Sequence, residues 1–361
     1  MGISQLDKNF VQYSVNDVPF CLYEVPDWML EGFPWEKENK KKFCRLPERI
    51  LPELTDREEL ITLSKMAAGG VLRFCTDSQA IMLKVIYQNC WLMPHMPSTG
   101  CAGFDIVLVE NGRERLLCNV KPDPYEVAKG KLDFDFSCTL PQGMHEYKVY
   151  FPLYTGVDSL QLGFSPDARV EKPSVHKTKK PILFYGSSIT QGGCASRPSN
   201  CHCALVAKEI DAEQINLGFA GNAQGELCIA KEIAKLSLSC LVMDYDYNAP
   251  TEEHLQKTHE PFFKAVREMQ PDLPVVFISH PYANVNEFET TLYRRNIILL
   301  TYLHALENGD RHVYFIDGMR FFDEIDHEHA TVDLCHPNDL GFYFMAKHIT
   351  PVVKEALNLK I

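Results

Sequence analysis

The 361-residue chain is 45% hydrophobic and 23% charged, the balance of a globular protein, and it is long enough for two domains. Its formal net charge of −12 argues against nucleic acid or an anionic membrane as a partner, since either calls for a cationic face. Thirteen scattered cysteines, with Cys75, Cys118, Cys228 and Cys240 inside apolar segments, read as reduced buried thiols rather than a disulfide framework.

The start, MGISQLDKNF, has no basic region followed by an apolar stretch, and no apolar run approaches the roughly 18 residues of a membrane span, so a cytoplasmic location is expected. The first 60 residues are irregular, with one helix expected near Asp56 to Met66 and a basic run, Lys40 to Lys42, that reads as a solvated turn or helix face. From about residue 65 to 165 short apolar or alternating runs are broken by turn residues, as in GGVLRFCTDS, AIMLKVIYQNC and HEYKVYFPLY. Asn111-Gly112 between two such runs is a hairpin signal. Strands of this length and spacing predict an antiparallel β-sandwich or jelly roll.

The polar stretch DARVEKPSVHKTKK, Asp167 to Lys180, reads as a linker, which divides the chain into domains 1–176 and 177–361. Beyond it the texture changes. Short apolar runs (Pro181 to Tyr185, Gln214 to Leu217, Cys240 to Asp244, Pro274 to Ser279, Val313 to Ile316) alternate with stretches of helical period (Cys203 to Ile210, Glu252 to Met269, Leu292 to Leu306, Phe342 to Leu357). Short apolar strands crossed over by helices mean a parallel sheet buried on both faces. The expected C-terminal fold is therefore α/β, a three-layer α/β/α sandwich whose ligands sit beyond the carboxyl ends of the strands.

Two segments carry chemistry. The first strand ends in Tyr185-Gly186-Ser187-Ser188-Ile189-Thr190-Gln191-Gly192-Gly193, where glycines permit a tight turn that lifts a hydroxyl above the sheet edge and leaves backbone N–H groups free for an oxyanion. Near the far end, Asp333 stands three residues before His336 in Asp333-Leu334-Cys335-His336-Pro337, and Pro337 disfavours a helical His336. Imidazole is the base that a serine hydroxyl lacks, and a carboxylate fixes its tautomer.

Gly-x-Ser-Ile-Thr-x-Gly after the first strand, with Asp-x-x-His-Pro before the last helix, resembles the SGNH (GDSL) hydrolase family from Pro181 onward. The resemblance implies a flavodoxin-like sheet, Ser188 as nucleophile and Asp333 and His336 as its base system. Asn216-Leu217-Gly218-Phe219-Ala220-Gly221-Asn222 is similar to the family's Asn-x-x-x-x-Gly block, which carries the oxyanion glycine onto Gly221. Asp244-Tyr245-Asp246-Tyr247-Asn248 stands where the family has Gly-x-Asn-Asp; only the asparagine survives, so Asn248 would be the side-chain donor beside the amide of Ser188. Ser187 replaces the family's Asp and stands as a rival nucleophile. Upstream, Met93-Pro94-His95-Met96 and Gly103-Phe104-Asp105-Ile106-Val107 resemble the Gly-x-Asp-Leu-Tyr type of sandwich domain that precedes the catalytic domain in one bacterial branch, a combination found among esterases that deacetylate carbohydrates.

The function expected from this resemblance is a serine esterase for short acyl esters, including O-acetyl groups on carbohydrates, with a small-molecule or saccharide substrate and neither metal nor cofactor. The loops Ala195 to Ser199 and Tyr282 to Glu289 carry no lid-like apolar helix, which favours short acyl groups over lipids. His95 and Trp91 are candidates to line the acyl or sugar pocket, a structural role in the sandwich being the alternative. His280 ends the fourth strand, where it can face the cleft. Cys201-His202-Cys203 lacks zinc spacing and reads as buried thiols, and His327 and His329 as part of a solvated loop. An acyltransferase using the same triad, or a decayed carbohydrate-binding protein, are the alternatives.

Overall fold

The computed structural model describes residues 19–40, 43–281 and 284–360. The stretch MGISQLDKNF, two residues of the Lys40 to Lys42 run and two of the loop 282–289 lie outside the described residues.

The antiparallel region forms two packed sheets. One has the order β1 (Cys21–Glu24), β9 (Val157–Phe164), β4 (Ala80–Tyr87), β7 (Asp133–Thr139). The other runs β10 (Val170–Glu171), β3 (Val71–Thr76), β8 (His145–Tyr150), β5 (Phe104–Glu110), β6 (Arg113–Val120), with β2 (Leu30–Glu31) paired to β3. Strand alternation supplies the core: Ile81, Leu83, Val85 and Tyr87 of β4 point inward and meet Phe74, Phe104, Tyr147 and Phe164. The expected hairpin joins β5 to β6, and Asn111 (φ 53°) and Gly112 (φ 73°) both take the left-handed conformation that a two-residue turn of this kind demands.

The parallel sheet has the order β12 (Ala212–Gly218), β11 (Thr178–Gly186), β13 (Cys240–Asp244), β14 (Val275–Ile278), β15 (Val313–Ile316). Its strands are the five apolar runs of the sequence. Helices His202–Ile210 and Asp339–Ala356 pack together, as do Leu227–Ile233, Glu252–Met269 and Phe288–Glu307, giving the expected three layers. Thr251 and Asn338 cap two of these helices by accepting from backbone amides. The helix Leu227–Ile233 was not anticipated; two turns are too few for an apolar period to stand out.

The stretch 167–180 departs from the expected linker. Val170 and Glu171 pair with β3, and Thr178 to Lys180 open β11. Strand residues whose side chains face water carry no apolar signal, so the polar composition concealed ordered backbone.

The two sheet regions share side chains. Leu46, Ile50, Leu54, Met66, Leu153 and Tyr154 belong to the same apolar cluster as β11 and β13. Arg45, fully buried, donates to the carbonyls of Leu63 (2.7 Å) and Met66 (2.8 Å) on its own side and to those of Asn216 (3.0 Å) and Gly218 (2.6 Å) at the end of β12. Its guanidinium also lies 4.6 Å from the Phe219 ring centroid. Burial pulls its pKa down to about 9.

Candidate active site

In this strand order β11 is flanked by β12 and β13, so the loops after these three strands converge at one place on the carboxyl edge of the sheet. Ser188, Gly221 and Asn248 lie on those three loops. Gly186 makes the first turn possible, because a Cβ there would come within 2.2 Å of the Asp244 carbonyl.

The two serines that follow have separate tasks. Ser187 is buried and caps a one-turn helix, Ser188–Gln191, by accepting from the amide of Ile189 at 3.2 Å. Ser188 reaches solvent, and its Oγ lies 2.8 Å from Nε2 of His336. The hydroxyl that meets the imidazole is therefore that of Ser188.

His336 stands on a tight turn in which Leu334 takes φ 64°, and the turn is closed by the amide of Val332 donating to the carbonyl of His336 at 2.9 Å. Pro337 pairs with Thr331 in an isolated β-bridge, the extended geometry its ring imposes on the preceding residue. Asp333 accepts three hydrogen bonds: from the amides of Cys335 (3.1 Å) and His336 (2.7 Å), and from Nδ1 of His336 (2.8 Å). Burial pushes the Asp333 carboxyl up, but the amide and ring of His336 outweigh it and hold it below its usual range. An ionised Asp333 fixes the proton on Nδ1 and leaves Nε2 to accept from Ser188.

Gly221, exposed and at φ 67°, has nothing among the described residues within 4 Å of where a Cβ would stand. Asn248 is buried, and its Nδ2 donates to the Phe219 carbonyl at 2.8 Å, leaving one amide hydrogen for another acceptor. That bond ties the loop after β13 to the loop after β12.

The ring of His95 lies 6.1 Å, centroid to centroid, from that of His336, so the antiparallel region reaches the triad. Trp91, in the same segment, is 48% exposed, and no hydrogen bond or ring contact joins it to the triad among the described residues. His280 is buried and stacked on Tyr247 with ring centroids 3.6 Å apart. Burial, followed by the charges of His336 and Arg294, pulls its pKa down to about 3, so it stays neutral.

Sequence reasoning gave no role to two further residues. Tyr154, almost fully buried, donates from its hydroxyl to the Ser188 carbonyl at 3.2 Å. Asp105 braces the loop that follows the Ser188 turn; the Gly-Phe-Asp motif held it, with no indication of its partners. Cys194 and Cys335, near the triad in sequence, have their thiols pushed up to about 12, by burial first and by Asp333 second, so neither supplies a thiolate. Cys201, His202 and Cys203 are all buried, and among the described residues no group of three or more His, Cys, Asp or Glu side chains is placed to hold a metal ion. Among the described residues no helix is long and apolar enough to cross a membrane.

Residues 179–354 match the model of the GDSL-like lipase/acylhydrolase family, and residues 23–170 match that of the N-terminus of the SGNH-hydrolase-type esterases. No curated protein matches the sequence. Among solved structures, a GDSL-like lipase from Bacteroides ovatus is 24% identical with a TM-score of 0.84, over 95% of this chain and 99% of that one. A salicylyl-acyltransferase, SsfX3, from a tetracycline biosynthetic pathway is 19% identical with a TM-score of 0.76, over 94% and 99%. A family two carbohydrate esterase from Cellvibrio japonicus is 12% identical with a TM-score of 0.61, over 94% and 98%. At these identities the likeness is one of fold, and it extends over both sheet regions.

Proposed function

We propose, for a chain that belongs to the GDSL-like lipase/acylhydrolase family and is a carboxylic ester hydrolase, the removal of short acyl groups from carbohydrate hydroxyls by Ser188, His336 and Asp333. The observation that carries the reading is the unbroken pair of 2.8 Å contacts from Ser188 Oγ to His336 Nε2 and from His336 Nδ1 to Asp333.

In the first step His336 takes the hydroxyl proton as Ser188 Oγ attacks the ester carbonyl. The oxyanion is received by the amides of Ser188 and Gly221 and by the free N–H of Asn248. His336 passes its proton to the departing alcohol, and water then cleaves the acyl-enzyme with the same base assisting.

The carbohydrate half of the proposal rests on position. The leaving alcohol must lie within reach of His336 Nε2, and the residues bordering that ring are the ones that touch it. His95 is such a residue, and Trp91, four positions earlier, offers an exposed indole of the kind on which a pyranose ring stacks. The shared architecture with family two carbohydrate esterases supports this reading. Purified protein tested on p-nitrophenyl acetate and on acetylated xylo- and cello-oligosaccharides should release acetate from both, and Ser188→Ala should release none. Turnover of the nitrophenyl ester without action on any acetylated sugar would remove the carbohydrate assignment.

The acyltransferase alternative is favoured by one observation, the fold shared with a salicylyl-acyltransferase. Adding a sugar or alcohol acceptor to the assay separates the two: transfer product in place of free acid marks a transferase.

A further inference from the structure

The loop after β13 carries more than Asn248. Asp246, Tyr247 and Asn248 form a short helical turn, and the carboxylate of Asp246 is buried within it. That carboxylate accepts from the amide of Tyr247 and from the amide of His280, each at 2.9 Å, so one side chain binds the loop after β13 to the loop after β14. The Tyr247 and His280 rings lie nearly parallel, 17° apart in plane. The Tyr247 hydroxyl bonds Thr291 Oγ1 at 2.5 Å and the Glu287 carboxylate at 3.3 Å. Arg294, also buried, stands 5.6 Å from the Tyr247 ring and donates to the carbonyl of Ala249 at 2.9 Å. The Tyr247 ring is therefore held at its hydroxyl and at its backbone, and it cannot turn away from His280 without breaking the bond to Thr291.

Its place relative to the chemistry follows from the sheet. A carbonyl carbon over Ser188 has three substituents to accommodate. Its oxygen turns toward Gly221 and Asn248, and its leaving oxygen turns toward His336 and, beyond it, His95. The acyl chain is left with the remaining direction, along the carboxyl edge toward β13 and β14, where Tyr247 adjoins Asn248 and His280 follows Ile278.

We propose that the stacked Tyr247 and His280 rings are the end wall of the acyl subsite, limiting the enzyme to short acyl groups. This rests on the esterase reading above and specifies which half of the substrate these residues select. The wall is uncharged: His280 is neutral, and among the described residues its buried Nδ1 has no hydrogen-bond partner.

The test is a chain-length series of p-nitrophenyl acetate, butyrate and hexanoate, read as kcat/KM ratios for the wild type, His280→Ala and Tyr247→Val. A wall predicts wild-type preference for acetate, and a rise of roughly tenfold or more in the hexanoate-to-acetate ratio in either variant, the scale on which a pocket discriminates single methylenes. A merely structural role would lower all three rates together and leave the ratio fixed; unchanged ratios in both variants overturn the wall. Should His280→Ala fail to yield folded protein, His280→Val keeps more of the volume and carries the same readout. Absence of hydrolysis of every ester by the wild-type protein overturns the esterase reading and the wall with it, an outcome distinct from fixed ratios in an active enzyme.

Discussion

The carboxylate of Asp105, wholly buried at the start of β5, accepts hydrogen bonds from both the amide of Ser199 at 2.9 Å and its hydroxyl at 2.6 Å. Asn119 adds a third bond at 2.8 Å and Arg197 an ion pair at 3.2 Å. Ser196, on the same loop, donates from its amide to Asp339 at 2.8 Å. The segment after the Ser188 turn is thus held from the antiparallel region on one side and from the last helix on the other. Asp105→Ala would take the acceptor from the Ser199 amide and hydroxyl and the ion pair from Arg197, which keeps Ser199 Oγ, and buried donors left unsatisfied in this way cost about 1–3 kcal/mol. Denaturant unfolding should show that loss, while Asp105→Asn, which keeps one acceptor oxygen, should lose less.

Ser188→Ala should lower kcat for p-nitrophenyl acetate by roughly four to six orders of magnitude, because the nucleophile and its base act as one unit. Ser187→Ala removes a helix cap and should cost about 1 kcal/mol of stability while hydrolysis persists. Inverted activities for the two variants would transfer the nucleophile to Ser187.

Asn248→Ala removes one oxyanion donor and should slow kcat by on the order of a hundredfold or more, with KM little changed. Steady-state kinetics decide this. A rise in KM at constant kcat would mean that Asn248 binds ground state and transition state alike.

His95→Ala should raise KM for acetylated oligosaccharides several-fold more than for p-nitrophenyl acetate, whose small planar alcohol makes fewer contacts. Equal effects on both substrates would place His95 outside the alcohol subsite.

Stability should depend on pH through Glu213, which accepts from the amide of Gly32 across the two sheet regions at 2.9 Å. Burial first, and the charge of Glu31 second, raise its pKa from 4.5 to about 7. A carboxyl whose folded pKa lies above its unfolded value favours the folded state while protonated. That contribution is present below about 4.5 and is lost as pH rises through about 7. Glu213→Gln keeps the acceptor without the charge, so thermal melts should find it more stable than the wild type at pH 8 and similar to it at pH 5.

What could be read in the sequence were features with a local cause. Whole-run apolarity marked the five parallel strands because both faces of that sheet are covered, and the bounds of Glu252–Met269 followed from its helical period. Ser188, Asp333 and His336 were singled out because each sits in a short motif, and the structure brings them together. The register of Ile189-Thr190 favoured Ser188 but left Ser187 as a rival, since which hydroxyl caps and which one faces the ring depends on the turn. Asp105, Tyr154, Tyr247 and Arg45 escaped for a different reason: their partners lie tens of residues or more away in sequence, and no spacing rule announces a contact of that range.

Arg45 has a consequence for how such chains can be rearranged. Its guanidinium fills the gap between two strand-end carbonyls of the parallel sheet, those of Asn216 and Gly218, one turn before Gly221. A protein cut between residues 176 and 177, the division the sequence suggests, would take that donor from those carbonyls in one fragment and leave the cation in the other with only the Leu63 and Met66 carbonyls as acceptors. A chimera that borrows the hydrolytic half for a foreign sandwich must bring residues 43–68 along as a plug, or supply another cation in their place.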